Sequence, residues 1–383
     1  MYILQKREDP LADKGFWLNS SKSPLNWNGL EVGMYDQSAY DGKSFGMLLE
    51  EVKSLKLGTE SPYIGMTPTE VFFEKRRLAK AGQPVPFTAV EDCLKQAGIA
   101  AYGQRTDYVR KFYEVSGLDV IFPEWMSGTV HAGMLLDSLV TDFTMGQTVI
   151  DAYTYQKVYL EDTENDRDLG IVNPGEDMGE TKIVVGKQTV YLTKFGRYIT
   201  MTYEAMAQQR LNVFATALTR IGRQIDIRRT DRMFYTLLNG DGNSNTPGTT
   251  VETASSGTIA VADIIKWWTG APSPYKLSVF AGRKALLQEY LTTIAGMNNP
   301  GNQFAATGLD PVPWREWDRD AITTDLFIGV DKRYAIEHIT NGTVTTEAEK
   351  LIRKQVEGTA ISHRDAFSIF DKNAVVLFDE THS

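Results

Sequence analysis

The sequence predicts an α+β protein whose C-terminal half carries a mixed sheet. Three observations point there. Two helices between 67 and 98 open on capping boxes, the stretch from Val149 to Thr202 is rich in Val, Ile, Tyr and Thr, and a long amphipathic helix follows it. With 383 residues, 42% hydrophobic and 11% aromatic, the chain can bury large cores, as one large domain or two to three smaller ones.

Taken in order, residues 1 to about 66 read as an extended arm. "FWLNSSKSPLNWNGLEVGMYDQSAYDG" scatters Phe16, Trp17, Trp27, Tyr35 and Tyr40 among Ser, Asn, Gly and Pro with neither helical nor strand period. Such a segment makes no core of its own, so its aromatics are expected to anchor on another surface, such as a second copy of the chain. A short helix is expected near Phe45 to Lys53. In "TPTE", Thr67 is the N-cap, Pro68 the first helical residue and Glu70 the third; "TAVE" repeats the pattern with Thr88 and Glu91. Gly82 and Gly98 close these helices. Residues 104–115 read as a third, more polar helix, and "VIFPEWMSGTVHAGML" as the lead into the next unit.

"VIDAYTYQKVYL" and "KIVVGKQTVYLTKFGRYITMT" then read as the two strands of a long hairpin. Between them, "EDTENDRDLGIVNPGEDMGE" holds eight acidic residues and one basic one, a solvated tip. An isolated hairpin is marginally stable, so it is expected to pack between subunits. Next, Leu211, Phe214, Leu218, Ile221 and Ile225 form one apolar stripe of a helix expected from near Thr202 to Leu238, roughly 55 Å if unbroken. Arg220, Arg223, Arg228, Arg229 and Arg232 cluster in its second half. Residues 259–365 alternate: "AVADIIKWW" helix, "YKLSVFAG" strand, "RKALLQEYLTTIAG" helix, "DLFIGVD" strand and "KRYAIEHIT" a short helix. "DAFSIFDKNAVVLFD" closes the chain as two strands around an Asp-Lys-Asn turn.

The long helix ends in a loop that mimics a calcium site. Counting from Asp241, Asn243 and Asn245 stand third and fifth and Glu252 twelfth. The mimicry fails at the sixth position, where the sharp turn needs Gly and the chain has Thr246 before Pro247; no exiting helix follows Glu252 either. Gly240 and Gly242 are instead expected to end the helix in left-handed conformations.

Other chemistry is thin. "GDGNSN" follows a helix and lacks the third glycine of a dinucleotide loop, and neither G-x-S-x-G nor H-E-x-x-H occurs. Asp318 and Asp320 of "WDRD" would point the same way on a strand, where a solvated edge is the plainer reading than acid-base chemistry. The tryptophans of "KWW", and Trp314 with Trp317, read as packing. The single Cys93 excludes internal disulfides and reads as a small buried apolar residue. His131, His338, His363 and His382 show no zinc spacing, and no cofactor is expected. A net charge of −9 argues against a dedicated nucleic-acid binder. No apolar run approaches the roughly 20 residues of a membrane helix, and "MYILQKREDPLADKG" turns charged too soon for a signal peptide, so the expected setting is cytoplasmic.

The order of elements, with "RTDRMFYTLLNGDGN", "DKRYAIEHI" and "DAFSIFDKNAVVLF" as its most specific pieces, resembles the major capsid protein of tailed bacteriophages, the Hong Kong 97-like fold, over about residues 120–383. The resemblance implies an N-terminal arm with short helices (1–118), a lead into the peripheral domain (119–148), an extended loop (149–200), a peripheral domain with a spine helix (201–258), an axial domain (259–365) and return strands (366–383). At about 118 residues the N-terminal region exceeds a simple arm, and reads as a retained scaffold-like segment or an added clasp. The implied function is self-assembly, as hexamers and pentamers, into an icosahedral shell enclosing double-stranded DNA, put together in the host cytoplasm and resident in the virion. Scaffold, portal and decoration proteins would be partners, packaged DNA a weak contact, and membranes none. The contact candidates are Phe16, Trp17, Trp27, Tyr35, Glu161, Asp162, Glu164, Asp166, Asp168, Arg223, Arg228 and Arg232. Among Lys157, Lys182, Lys187, Asn341 and Asn373 nothing selects a crosslinking pair, so assembly is expected to be non-covalent. The alternatives are an encapsulin-like nanocompartment shell and, from another class, a soluble hydrolase acting through Asp318 and Asp320.

Overall fold

The computed structural model describes residues 45–57, 61–101, 103, 105–114, 118, 121–136, 138–150, 152–160, 183–243, 245–246, 249–297, 312–322, 325–342 and 344–381. Phe16, Trp17, Trp27, Tyr35, Tyr40 and the acidic stretch 161–182 lie outside them. The elements are α1 (Phe45–Leu57), α2 (Pro68–Lys80), α3 (Ala89–Gln96), α4 (Lys111–Glu114), α5 (Phe122–Leu135) and α6 (Val140–Phe143), then strands β1 (Gln147–Val149), β2 (Thr154–Leu160), β3 (Ile183–Tyr191) and β4 (Thr193–Thr202). After them come α7 (Tyr203–Gln208), α8 (Leu211–Asn239), β5 (Thr249–Glu252), α9 (Val261–Trp268), β6 (Val279–Gly282), α10 (Lys284–Met297), β7 (Trp314–Glu316), β8 (Leu326–Val330), β9 (Ile336–Thr340), β10 (Thr345–Leu351), β11 (Val356–Ile369) and β12 (Val375–Asp379). Two compact units divide the described residues: those of 1–137, 195–226 and 342–363 form the first, and those of 138–194, 227–341 and 364–383 the second.

In the first unit both capping boxes form. Glu70 accepts from the Thr67 amide at 2.7 Å and Glu91 from the Thr88 amide at 2.9 Å, while Gly82 and Gly98 close the helices at φ +65° and +68°. Buried Glu50 of α1 ties the group together, accepting from the Ala89 amide at 2.6 Å and the Ser61 hydroxyl at 2.5 Å. The helix expected over 104–115 shrinks to α4, because the backbone before it pairs elsewhere: Val109 donates to Gln209 and Leu211 to Asp107. The same pairing breaks the long helix expected from Thr202. Thr202 instead caps α7, Gln209 is extended, and α8 begins at Leu211. At 29 residues it spans about 44 Å.

Along α8, Leu211, Phe214, Leu218 and Ile225 are buried and Ile221 packs against the same core, as the stripe predicts. Their partner is α5, for which the sequence shows no helical signal. Ten of its fourteen residues are buried, so it presents no polar face and hence no stripe. The two helices meet backbone to backbone. A Cβ added at Gly222 would lie 2.0 Å from the Val130 carbonyl oxygen, and one at Gly133 2.4 Å from that of Thr219. Phe112, Phe122, Trp125 and Phe214 stack around this crossing with ring centroids 4.9 to 6.2 Å apart. An antiparallel β10–β11 ladder, Thr345↔Ser362 to Leu351↔Val356, completes the unit, with β4 on the other side of β11.

The second unit is built on a mixed sheet in the order β5-β12-β8-β6-β7. Alternate residues feed two cores, as the two-residue period of a strand dictates. Val279, Ala281, Ile328, Val330 and Val375 join Met233, Phe234 and Leu237 of α8, while Phe280, Phe327, Val376 and Phe378 join Trp267, Trp268 and Tyr290 of α9 and α10. Burial on both faces explains why "LFIGV" and "VVLF" read as unbroken apolar runs. "KRYAIEHIT" is not a helix: after a turn at 332–334 it becomes β9, paired parallel to β1 and antiparallel to β11. Two-sided pairing overrides its mixed local propensity. Two strands do flank the Asp-Lys-Asn turn, which Asp371 caps through the Asn373 amide, but they enter different sheets. Strand β5 adds a fifth member where the sequence suggested only a surface turn.

β2 and β3 form the antiparallel hairpin, from Thr154↔Tyr191 to Leu160↔Ile183. Its second strand does not run on to Thr202. It stops at Tyr191, and Leu192 turns into a cluster with Val190, Ile339 and Ala366. Among the described residues, no helix is long and apolar enough to cross a membrane.

Candidate assembly surface

The base of the hairpin is fixed by both apolar and polar contacts. Tyr155 packs on the Val190, Leu192, Ile339 and Ala366 cluster and its hydroxyl donates to Glu337 at 3.2 Å; Thr148 donates to the same carboxylate. Burial, and then the negative Glu337, push the Tyr155 hydroxyl above its ordinary value, so it stays a donor. Arg364 lies 4.1 Å over the Tyr153 ring and donates to its hydroxyl at 3.0 Å. Beyond these ties the hairpin presents apolar surface. Tyr191 and Tyr153, at 70% and 66%, are the most exposed large hydrophobics of the described residues, and Val149 of β1, outside the hairpin, stands at 55%. Large apolar side chains exposed to this degree are surface in want of cover. The acidic candidates Glu161, Asp162, Glu164, Asp166 and Asp168, like the arm's Phe16, Trp17, Trp27 and Tyr35, lie outside the described residues.

The arginines of α8 separate into two kinds. Arg220, Arg223, Arg228 and Arg232 are exposed, and Arg232 lies 6.0 Å from the ring centroid of exposed Tyr235. Arg229 is different. It is buried, donates through Nε to Asp365 at 2.7 Å and lies 3.4 Å from His338 Nε2; Asp365 is fully enclosed. Residue type alone groups Arg229 with the others. Spacing does not: it falls four residues after Ile225 and four before Met233, on the apolar stripe itself, so it demands a buried acid.

The loop after α8 turns as expected, with Gly240 at φ +81° and Gly242 at +91°. Asp241 spends both carboxylate oxygens on the protein. One accepts from the Asn243 amide and side chain at 3.2 and 2.9 Å, and the other from the Ser368 hydroxyl and Ile369 amide at 3.0 and 3.1 Å. Asn245 accepts from the Asp241 amide at 3.0 Å, while Glu252 lies on β5 beside Asp379 of β12. The oxygen-rich pattern therefore fastens the helix end to β11. Asp318 and Asp320 do not share a strand, since β7 ends at Glu316; both are exposed, and Asp320 pairs with Arg283 at 2.9 Å. Trp267 and Trp268 are core, as expected, and Trp317 packs on the core and donates to Asp231 at 3.1 Å. Cys93, His131, His338 and His363 are buried. Among the described residues no three His, Cys, Asp or Glu side chains are grouped to hold a metal ion. Of the lysine and asparagine candidates, Lys157 is buried, Asn341 accepts from the Arg364 amide at 3.2 Å, Asn373 sits in the capped turn, and Lys182 and the Lys187 side chain lie outside the described residues.

A family model described as phage capsid protein matches residues 186–377, half of the chain. No curated protein matches it. Among solved structures, it is similar to the capsid of an empty GTA particle, at 12% identity over 65% of this chain and 92% of that one, with a TM-score of 0.47. A virus-like particle from Pyrococcus furiosus gives 10% identity, 67% and 98% coverage and a TM-score of 0.47. The capsid of cyanophage P-SCSP1u gives 11%, 64% and 89%, and 0.46. The family match bears on the identity of the chain; these three likenesses, with TM-scores below one half, do not.

Proposed function

Because this chain belongs to the phage capsid protein family, we propose that it is a Hong Kong 97-like shell subunit that assembles non-covalently around double-stranded DNA, with the β2–β3 hairpin as its principal arm onto the neighbouring subunit. The observation that carries this reading is the hairpin itself. Its two strands form a two-stranded sheet, and its base exposes Tyr153 and Tyr191. A ribbon of this kind is marginal alone and gains stability when another surface covers it. Laid across a neighbour, the strands gain apolar contact while Glu161, Asp162, Glu164, Asp166 and Asp168 stay at the rim or meet basic groups. The contact recurs once per subunit around each ring, so modest pairwise energies close a shell.

In the same reading, Phe16, Trp17, Trp27 and Tyr35 anchor the arm on another copy, and Arg223, Arg228 and Arg232 of α8 meet acidic groups of a neighbour in preference to DNA. The role is structural and non-catalytic, exercised in the virion after assembly in the host. Replacing residues 161–180 by a short Gly-containing turn tests the hairpin's part. Native mass spectrometry and negative-stain images should find a folded subunit that no longer forms shells; normal closed shells from this variant would remove the hairpin from the interface. The contents of wild-type shells, nucleic acid or protein cargo, separate a virion from a nanocompartment.

A further inference from the structure

Lys157 is a charged side chain buried at the root of the hairpin, and its position in the ladder is irregular. Gln156 pairs with Thr189 and Val158 with Val185, so Lys157 alone faces three residues, 186–188, of β3. A bulge of this kind bends a ribbon and re-aims a side chain. Here the ammonium donates to the carbonyl of Ile369 and, at 3.4 Å, to that of Phe370.

Those carbonyls sit on a firm floor. The Ile369 amide is held by Asp241, the Phe370 amide donates to Ala335 at 2.9 Å, and the Asp371 amide to Tyr334 at 3.0 Å. Asp241, Asp371 and Glu337 supply the negative field around the ammonium. The loop that resembles a calcium site in sequence thus helps to hold a cation, but the cation is an ammonium of this chain's own hairpin.

We propose that Lys157 is a latch: by seating in the 369–371 socket it fixes the direction in which the β2–β3 ribbon leaves the unit, and it can leave the socket without unfolding the unit. Ordinary core packing does not explain the arrangement, because an apolar side chain would fill the same space with no charge to desolvate. Burial of the ammonium outweighs the attraction of the three carboxylates and lowers its pKa, so hydration is regained when the latch opens. The purpose of the latch, though not its existence, rests on the hairpin contact proposed above.

The test is amide hydrogen exchange by mass spectrometry on the unassembled full-length chain, comparing wild type with Lys157→Met, which keeps the stem and loses every donor, and Lys157→Gln, which keeps a donor and loses the charge. Peptides over β2 and β3 should exchange at least tenfold faster in Lys157→Met and to an intermediate degree in Lys157→Gln, with β8 and β12 unchanged. Wild-type exchange in the hairpin of both variants overturns the latch. So does equal acceleration in β8 and β12, or failure of Lys157→Met to fold, since Lys157 would then be part of the core. Local acceleration with normal shells upholds the latch and instead counts against the hairpin as an assembly contact.

Discussion

Replacing Gly222 by Ala should destabilise the first unit even though alanine is the better helix former. The intrinsic preference favours Ala by about 1 kcal/mol at a helix interior. Against it stands the crossing with α5. The new Cβ would lie 2.0 Å from the Val130 carbonyl oxygen and 3.0 Å from the Met134 amide nitrogen, where ordinary contact begins at 3.4 Å. The opposing atoms are backbone of a helix that is itself buried on most sides, so no side chain can rotate away. The helices must part by more than 1 Å, loosening the Phe122, Trp125 and Phe214 stack. Overpacking costs about 1–3 kcal/mol, and a 2.0 Å approach to backbone belongs at the upper end, so after the propensity gain of about 1 kcal/mol a net loss of about 2 kcal/mol is expected. Gly128→Ala, on the same α5 with nothing within 4 Å, is the internal control and should be neutral or stabilising by up to about 1 kcal/mol. Denaturant unfolding of the unassembled subunit measures both. Equal gains from the two substitutions would refute the backbone contact.

The stripe of α8 gives a second outcome: Ile225→Asp buries an unpaired charge and should cost several kcal/mol, so a soluble, assembling variant would show that this face meets water. Asp365→Asn should cost about 3 kcal/mol by leaving Arg229 buried without its counter-charge, while Arg229→Met with Asp365→Leu should recover most of the loss; the double variant separates the pair's charge from its volume. Glu124 accepts from the Gly46 amide at the start of α1, and burial of its carboxyl raises its pKa from 4.5 to about 7 although the residue as a whole is half-buried. A raised carboxyl favours the fold when protonated, so that contribution is full below pH 4.5 and is lost as pH climbs through 7, by at most about 3 kcal/mol. Glu124→Gln should therefore flatten the stability curve between pH 5 and pH 8, and an unchanged slope would remove Glu124 as its cause.

What was legible in the sequence was local. Thr67 with Glu70 and Thr88 with Glu91 announce their helices because a cap and its partner lie three residues apart, and the α8 stripe declares itself because one face is wet. What escaped depends on distant partners. α5 shows no period because it is covered nearly all round, and "KRYAIEHIT" becomes a strand because β1 and β11 flank it. The exchange between 107–109 and 209–211 shortens one expected helix and splits another. At the candidate surface, the exposed arginines and the hairpin strands could be read directly, but the Asp365 partner of Arg229 is 136 residues away and the socket of Lys157 is 212 away. The calcium-like spacing of Asp241, Asn243 and Asn245 marks a polar cluster with a misleading local context: Asn243 and Asn245 bind Asp241 within the loop, and Asp241 alone reaches β11.

Each unit is stitched from three separated stretches of chain, and this sets a clock on the ribosome. The first core waits for Ile361 of β11, and those of the second unit for Val375, Val376 and Phe378 of β12. At about 5–20 residues per second, the chain from Phe45 to Ile361 takes roughly 16–63 s to make, and the first core stays incomplete over that interval. Copies growing side by side on one message therefore cannot present completed faces to each other. Synthesis of β11 and β12 becomes the gate on completing the two units, and folding factors have that interval in which to keep half-built subunits apart.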